Sequence, residues 1–446
     1  MTSRSVPSAR CAALVGPYTS GKTTLLEALL LQTGAIHRKG SVVEGSTVGD
    51  AVPEARARQM STEPNFAHCD YLGETWSFID CPGSIELAQD THSALMGVDV
   101  AVVVASPEPE RALTLAPIFK FLDDYQIPHI LFVNKMDKAT VRVRDLLEAL
   151  QSVSDRPLVL RQVPIREGEE VTGFVDLVSE RAWRYKLDKQ SELIEMPEQI
   201  KDREAEARQE LLESLADFDD GLLEQLLEDK APAPEEIYEQ IGKDLAGDLI
   251  VPVLFGSAEQ GHGITRLLKT LRHDAPEPAA TAARLGVPQG SGLAANVIRT
   301  YHAPHTGKMS ISRIWRGGVK DGDSLGDERI SGLYRLMGGD SQKIDSAGVG
   351  ELVALGRMDA VETGDLLTEE GRLGEAGLLW PETPKPVFSL AIRPHNRQDE
   401  VKLTASLGKL TEEDPSLVME HNDDTNEMLL RGQGDIHLKL AVDRLK

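Results

Sequence analysis

The chain has 446 residues, 41% of them hydrophobic, with 48 Lys and Arg against 72 Asp and Glu and a formal net charge of −24 at pH 7. That length suits about three domains, each with its own core, and that charge excludes general DNA binding across the surface while leaving room for a local basic face that meets RNA. No apolar run reaches the ~18 residues of a membrane span, the first ten residues lack the apolar core of a signal peptide, and Cys11, Cys69 and Cys81 form no metal or disulfide pattern, so a reducing cytoplasmic location is expected.

The chain opens with an apolar run, Cys11–Val15, then Gly16-Pro17-Tyr18-Thr19-Ser20-Gly21-Lys22-Thr23, then a helical run from Thr24 to Leu31. This is strand, G-x-x-x-x-G-K-[ST] loop and helix, the context in which backbone N–H groups curl around a phosphate. A glycine-rich strand-to-helix turn without a ligand would not need all four fixed positions and both flanks. The candidate phosphate-binding set is Gly16, Thr19, Ser20, Gly21, Lys22, Thr23 and Thr24. Lys22 is placed to reach the β- and γ-phosphates, and the Thr23 hydroxyl to ligate Mg²⁺.

Gly40 to Asn65 has weak periodicity and reads as a mobile switch loop. It holds Arg58-Gln59-Met60-Ser61-Thr62, where a hydroxyl would complete the Mg²⁺ shell when a γ-phosphate is present. Ser61 is the first candidate and Thr62 the second. Further strands are expected at Thr75–Ile79, Val98–Ala105, His129–Val133 and Ile250–Phe255, with helices such as Glu108–Asp124 and Val141–Ser152 between them. The alternation is that of a doubly wound α/β domain, whose ligands lie at the carboxyl ends of the strands. Three of those ends carry candidates. Asp80-Cys81-Pro82-Gly83 offers a carboxylate for Mg²⁺ through water and a glycine N–H for the γ-phosphate. Asn134-Lys135-Met136-Asp137 selects a base. The Asp137 carboxylate accepts from N1–H and the 2-amino group of guanine; adenine has neither donor and would leave it unpaired. Asn134 can meet N7 and brace the loop, and the Lys135 stem can cover the base. Gly256-Ser257-Ala258 supplies the Ala258 N–H to guanine O6.

These motifs together resemble those of translational GTPases, most closely the elongation factor G family and its elongation-factor-G-like branch. Thr33–Ile36, Phe174–Leu177, Leu407–Leu410, Glu412–Pro415 and Gly432–Leu438 are similar to the same family, so the resemblance runs through nearly the whole chain. It implies GTP/GDP and Mg²⁺ as ligands, GTP hydrolysis, and a ribosomal partner met through ribosomal RNA and the stalk protein, with no membrane, no DNA and a monomer in solution. Catalytic roles are implied for Lys22, Gly83 and Ser84, and metal binding for Thr23, Ser61 and Asp80. Two residues depart from the family pattern. Arg-Gly-Ile-Thr becomes Arg58-Gln59-Met60-Ser61, which keeps the hydroxyl. The His that follows D-x-x-G in the family is here Ser84, which is shorter and cannot become an imidazolium. GTP binding should survive that change, and stimulated hydrolysis should slow.

The resemblance also orders the rest. Residues 8–275 read as the G domain, with an inserted subdomain at about 154–247. That insert begins with the strand-like pieces Leu158–Val163 and Val171–Leu177, and a charged helical stretch follows from Pro197 to Asp229. His273–Leu285 reads as a linker. Residues 286–382 read as an all-β barrel. In it Lys308, Arg313, Arg316 and Lys320 are either RNA contacts or, more plainly, surface residues. Residues 385–446 read as strand, helix, strand, strand, helix: a ferredoxin-like α+β domain. His421 and His437 lack companions at metal spacing and read as packed or surface histidines. A full elongation factor G continues through two more domains, so a fragment or a short natural form is expected. Two other functions stay open at this level: a regulator that binds GTP but hydrolyses it poorly, and an ATP-using P-loop enzyme, which Asn134 and Asp137 argue against.

Overall fold

The computed structural model describes residues 8–186, 189–303, 306–373, 378–394 and 396–445. It divides into two compact units: Ala12–Lys39 with Asp99–Ala280, and Gly40–Val98 with Thr281–Lys446 and the N-terminal stretch through Cys11.

The first unit is built on five parallel strands in the order Arg10–Val15, Val100–Ala105, His129–Val133, Val251–Phe255 and Leu158–Leu160. The first four are buried along their whole length. Strands covered on both faces need continuous apolar runs, and Val-Ala-Val-Val-Val-Ala is such a run. Helices Lys22–Thr33, Ala116–Asp124 and Val143–Gln151 lie between them in the chain, and Ile264–Asp274 follows Val251–Phe255. The stretch Glu108–Asp124 is not one helix. A 3₁₀ turn spans Pro109–Leu115, and the α-helix restarts with a proline in its first turn, where the missing N–H costs nothing.

The inserted segment differs from expectation at Arg161. Leu158–Leu160 belongs to the parallel sheet, whereas Gln162–Glu167 starts an antiparallel sheet with Glu170–Asp176, Arg181–Lys186 and Lys189–Ile194. The charged helical stretch is two helices, Lys201–Ala216 and Asp220–Leu227, and a third follows at Pro234–Ala246. The break falls where the Asp219 side chain accepts from the Leu222 N–H at 3.0 Å and caps the second helix. Leu177, Val178, Leu211, Leu215, Ile237 and Ile241 form the core between this sheet and these helices.

The second unit contains the hairpin Asn65–Tyr71 and Glu74–Asp80, the short helix Pro53–Arg58 inside the expected switch loop, and the helix Ala88–Met96. A seven-stranded antiparallel sheet runs in the order Asp340–Lys343, Leu333–Met337, Leu352–Gly356, Gly307–Arg316, Ala294–Ala303, Leu366–Thr368 and Gly371–Arg372. Its core includes Val297, Ile314, Leu333, Val353, Leu355 and Leu367. The C-terminal part is a three-stranded antiparallel sheet, in the order Phe388–Ile392, Glu427–Gly432, Val418–Asn422, with helices Glu400–Glu413 and Asp435–Arg444. The strand–helix–strand–strand–helix order is that of the ferredoxin-like expectation, packed around Leu407, Leu410, Leu430 and Leu438.

Two expectations fail. The stretch read as a linker is helical: Ile264–Asp274 runs into it and Pro278–Leu285 follows. Pro278 sits where a helix starts and the four alanines after it favour the helix, so proline marks a start here and not a break. Lys308 and Arg313 are buried. Their strand alternates, but it is covered on both faces. Lys308 Nζ donates to Asp359 O at 2.9 Å and pairs with Glu412, while Arg313 Nη2 donates to Ala9 O at 3.2 Å and lies over Trp315. Arg316 donates to Gly292 O at 2.6 Å, and Lys320 remains exposed. His437 is packed: its Nδ1 accepts from the Gln433 N–H at 3.1 Å and its Nε2 reaches Asp414 at 2.8 Å. His421 is exposed.

Candidate nucleotide site

The carbonyls of the loop from Gly16 to Gly21 are held by cationic side chains. Lys22 Nζ donates to Gly16 O at 2.9 Å and to Pro17 O at 3.1 Å. Arg111 Nη2 donates to Tyr18 O at 2.8 Å, and Lys135 Nζ to Thr19 O at 2.5 Å. Four successive carbonyls, those of Gly16, Pro17, Tyr18 and Thr19, thus accept from cationic side chains. In a planar peptide the N–H opposes the C=O; Pro17 has no N–H and the Ser20 N–H donates to Pro17 O at 3.2 Å, so among these four peptides the Tyr18 and Thr19 amides are the ones that turn the other way, as an anion nest requires. The glycines are sterically obligatory. A Cβ on Gly16, at φ 147°, would lie 2.4 Å from Val104 O, and one on Gly21, at φ 94°, would lie 2.4 Å from Asn134 Nδ2. Ser20 is fully buried, with no partner for its hydroxyl among the described residues. Thr23 and Thr24 open the helix Lys22–Thr33, Thr23 buried and Thr24 half-buried.

Asn134 joins the base-side and phosphate-side loops. Its Nδ2 donates to Ser20 O at 3.0 Å, and its Oδ1 accepts from the Ala258 N–H at 2.8 Å. The bracing role foreseen for Asn134 is therefore in place, and the Ala258 N–H foreseen for guanine O6 is engaged by Asn134. The Met136 N–H donates to Gly256 O at 3.0 Å, tying the same loops a second time. Asp137 is exposed, its carboxylate open to a ligand, whereas Ser257 and Ala258 are fully buried. Burial, then the nearby Arg111 guanidinium, hold the Lys135 ammonium below its ordinary range.

Ser61, Asp80, Gly83 and Ser84 belong to the other unit. Asp80 is fully buried at the end of its strand and pairs in register with Asn65, four residues after Ser61. Gly83 and Ser84 are half-buried, and Ser84 O accepts from the Leu87 N–H at 3.0 Å to open a 3₁₀ turn. Ser61 and Thr62 are both buried. Thr62 lines a cavity of about 20 Å³ with Asp90, Arg299, His437 and Arg444, and its hydroxyl has no hydrogen-bond partner among the described residues. Next to it, Glu63 pairs with Arg299 at 2.8 Å and Arg444 at 3.2 Å. Burial alone would raise the Glu63 pKa; the two guanidiniums outweigh it and hold the carboxyl below its usual value.

The family model for the elongation factor Tu GTP-binding domain matches residues 8–277. The chain belongs to that family of GTP-binding domains. The model for elongation factor G domain III matches residues 383–446, so the chain is an elongation-factor-G-like translational GTPase. An elongation factor G-like protein of Synechocystis is 48% identical over 98% of this chain and 65% of its own length. The elongation factor G of Fervidobacterium nodosum is 30% identical over 96% of this chain and 64% of its own. The chain therefore spans slightly less than two thirds of the length of these relatives. A crystal structure of a Thermus thermophilus protein superposes with a TM-score of 0.89 at 31% identity, covering 98% of this chain and 66% of that one. Among the described residues no helix is long and apolar enough to cross a membrane.

Sequence reading missed Arg111 and Lys39. Lys39 Nζ donates to Ala258 O at 2.8 Å and Glu259 O at 2.9 Å, clasping the base-side loop. Arg111 follows the carboxyl end of strand Val100–Ala105, beside the first strand in the sheet. The rule that ligands meet the carboxyl ends of strands points to that turn, although not to Arg111 within it.

Proposed function

We propose that this chain binds GTP and hydrolyses it as the nucleotide-switching part of an elongation-factor-G-like protein that works on the ribosome. The observation that carries the reading is Asn134, whose side chain holds Ser20 of the phosphate loop and Ala258 of the base-side loop at once while Asp137 stays open. In this reading Asp137 selects guanine, the stem of Lys135 covers the base plane, and Ser257 and Ala258 line its far edge. Gly16, Thr19, Ser20, Gly21, Lys22 and Thr24 surround the phosphates. Thr23 and Ser61, with Asp80 acting through water, would hold Mg²⁺, which supplies charge at the β- and γ-phosphates. Water attacks the γ-phosphorus, the bond to the bridging oxygen breaks and GDP leaves. The Gly83 N–H senses the γ-phosphate. Residues 8–275, 286–382 and 385–446 would form the three domains, with the barrel facing ribosomal RNA, the insert at about 154–247 facing the stalk protein, and a cytoplasmic monomer as the free form.

Binding of labelled GTP in the presence of excess ATP tests the base selection. No competition by ATP, and a shift of Asp137→Asn toward xanthosine nucleotides, are the expected results. Equal competition by ATP sinks the reading.

Ser84 supports a second reading, a ribosome-associated regulator that switches on GTP binding with little turnover. Ser84→His should then raise ribosome-stimulated hydrolysis by roughly tenfold or more. If wild type already turns over rapidly on ribosomes, the regulator reading falls.

A further inference from the structure

Arg111 is not part of any motif named above, yet it is fastened to the phosphate loop. Its Nη2 bonds Tyr18 O at 2.8 Å and Thr19 Oγ1 at 2.9 Å. Its Nη1 reaches Ser106 Oγ and Glu108 Oε2 only at 3.4 Å. The Arg111 side chain is 34% exposed and that of Glu108 52%, so the ion pair between them is screened and weak. A guanidinium has five N–H donors; the bonds above engage four of them, the two on Nη1 only at 3.4 Å. Charge and donors therefore remain for a ligand at the loop.

Thr19 adds a second observation. It is a non-glycine residue at φ 65°, in the left-handed region, which costs on the order of 1 kcal/mol or more without compensation. Arg111 holds its hydroxyl and Lys135 its carbonyl. Lys22, Lys135 and Arg111 thus converge on four loop residues. The carboxylate that meets Arg111 is the exposed Glu108. Three cations gathered on one loop repel one another, and a polyanion bound there relieves that repulsion.

We propose that Arg111 is a positioning arginine supplied by the chain itself, which fixes Thr19 and brings positive charge to the γ-phosphate end of a bound nucleoside triphosphate. The inference rests on the GTP reading above. It gives the chain a source of charge that Ser84 cannot supply. In phosphoryl transfer the equatorial oxygens gain stabilisation from a guanidinium more than the ground state does, so the effect should fall on the triphosphate and on turnover more than on GDP.

The test compares Arg111→Ala and Arg111→Lys with wild type in the longest natural form of the protein, with ribosomes present. The readouts are GTP and GDP dissociation constants and single-turnover GTP hydrolysis. Arg111→Ala should lose about tenfold or more in the hydrolysis rate and weaken GTP more than GDP. Arg111→Lys should keep GDP affinity and recover only part of the rate, because an ammonium cannot span two acceptors as the fork does. Added guanidinium ion at millimolar concentration should restore part of the Arg111→Ala rate. Equal loss of GTP and GDP affinity with an unchanged rate overturns the proposal, and so does no change at all. Should Arg111→Ala not fold, the rate and GTP-to-GDP ratio of Arg111→Lys decide alone, and wild-type values there overturn it. A wild type that binds no guanine nucleotide fails the GTP reading first, which distinguishes the two failures.

Discussion

Gly21 stands where two loops meet, and its hydrogen is all the space allows. A methyl group there would lie 2.4 Å from Asn134 Nδ2, the atom that donates to Ser20 O. The positive φ of 94° adds strain for any other L-residue. Gly21→Ala should therefore weaken GDP as well as GTP, by roughly tenfold or more, because it displaces the group that joins the phosphate and base loops. Fluorescence titration with a labelled GDP checks this; unchanged affinity would mean that Asn134 moves aside at no cost. Residues of this kind were legible in the sequence, because phosphate and guanine recognition each demand fixed residue types at fixed spacing. Arg111 was not, because its partners lie 92 and 93 positions away and an arginine in a proline-rich turn is ordinary.

The same contrast holds for elements. The buried strands were legible from apolar runs bounded by motifs, and their ends shifted by only a residue or two. The insert was legible as an interruption, but its hinge at Arg161 was not. Arg161 is buried, pairs with Asp274 and lies over the Tyr238 ring. Its N–H donates to Val253 O at 3.1 Å, and its own O accepts from the Leu177 N–H at 3.1 Å, so one residue serves both sheets. Asp176, in the Phe174–Leu177 stretch that resembles the family, pairs with Arg266 and accepts from the Ser179 N–H at 2.8 Å. Burial would raise its pKa; Arg266 and Arg161 outweigh that and lower it. Asp176→Ala would leave the half-buried Arg266 without its carboxylate, and we expect it to cost about 3–5 kcal/mol in the unit that contains the insert. Urea unfolding of wild type and variant reads this directly. A loss below about 1 kcal/mol would show that water reaches Arg266 readily.

At the scale of the whole molecule, a chain with a formal charge of −24 would be expected to lose carboxylate repulsion, and so gain stability, on mild acidification. The individual groups divide over that expectation. Glu63, Glu412 and Asp414 are all held below their ordinary values against burial, by Arg299 and Arg444, by Lys308 and His302, and by His437 and Ser416 in turn. A lowered folded pKa means that the unfolded chain takes up the proton first. Their stabilisation is present above about pH 4.5 and is lost as pH falls further. Asp90 is the opposite case. Burial, with Asp414 and Glu63 nearby, outweighs Arg299 and Arg444 and raises it from 3.8 to about 6. The folded chain then takes up this proton first, so ionised Asp90 destabilises above about pH 6 and stability rises as pH falls from about 6 toward 4. Asp90→Asn removes the titration and keeps the size. It should stabilise the unit that contains it at pH 7.5 by on the order of 1–3 kcal/mol and abolish the gain between pH 6 and 4. Below pH 4 both proteins should fail together, because Glu63, Glu412 and Asp414 protonate in each. Urea midpoints at pH 7.5, 6 and 5 decide it. If the variant is the less stable protein at pH 7.5, the attraction of Arg299 for Asp90, 3.9 Å away, exceeds the cost of burying the charge.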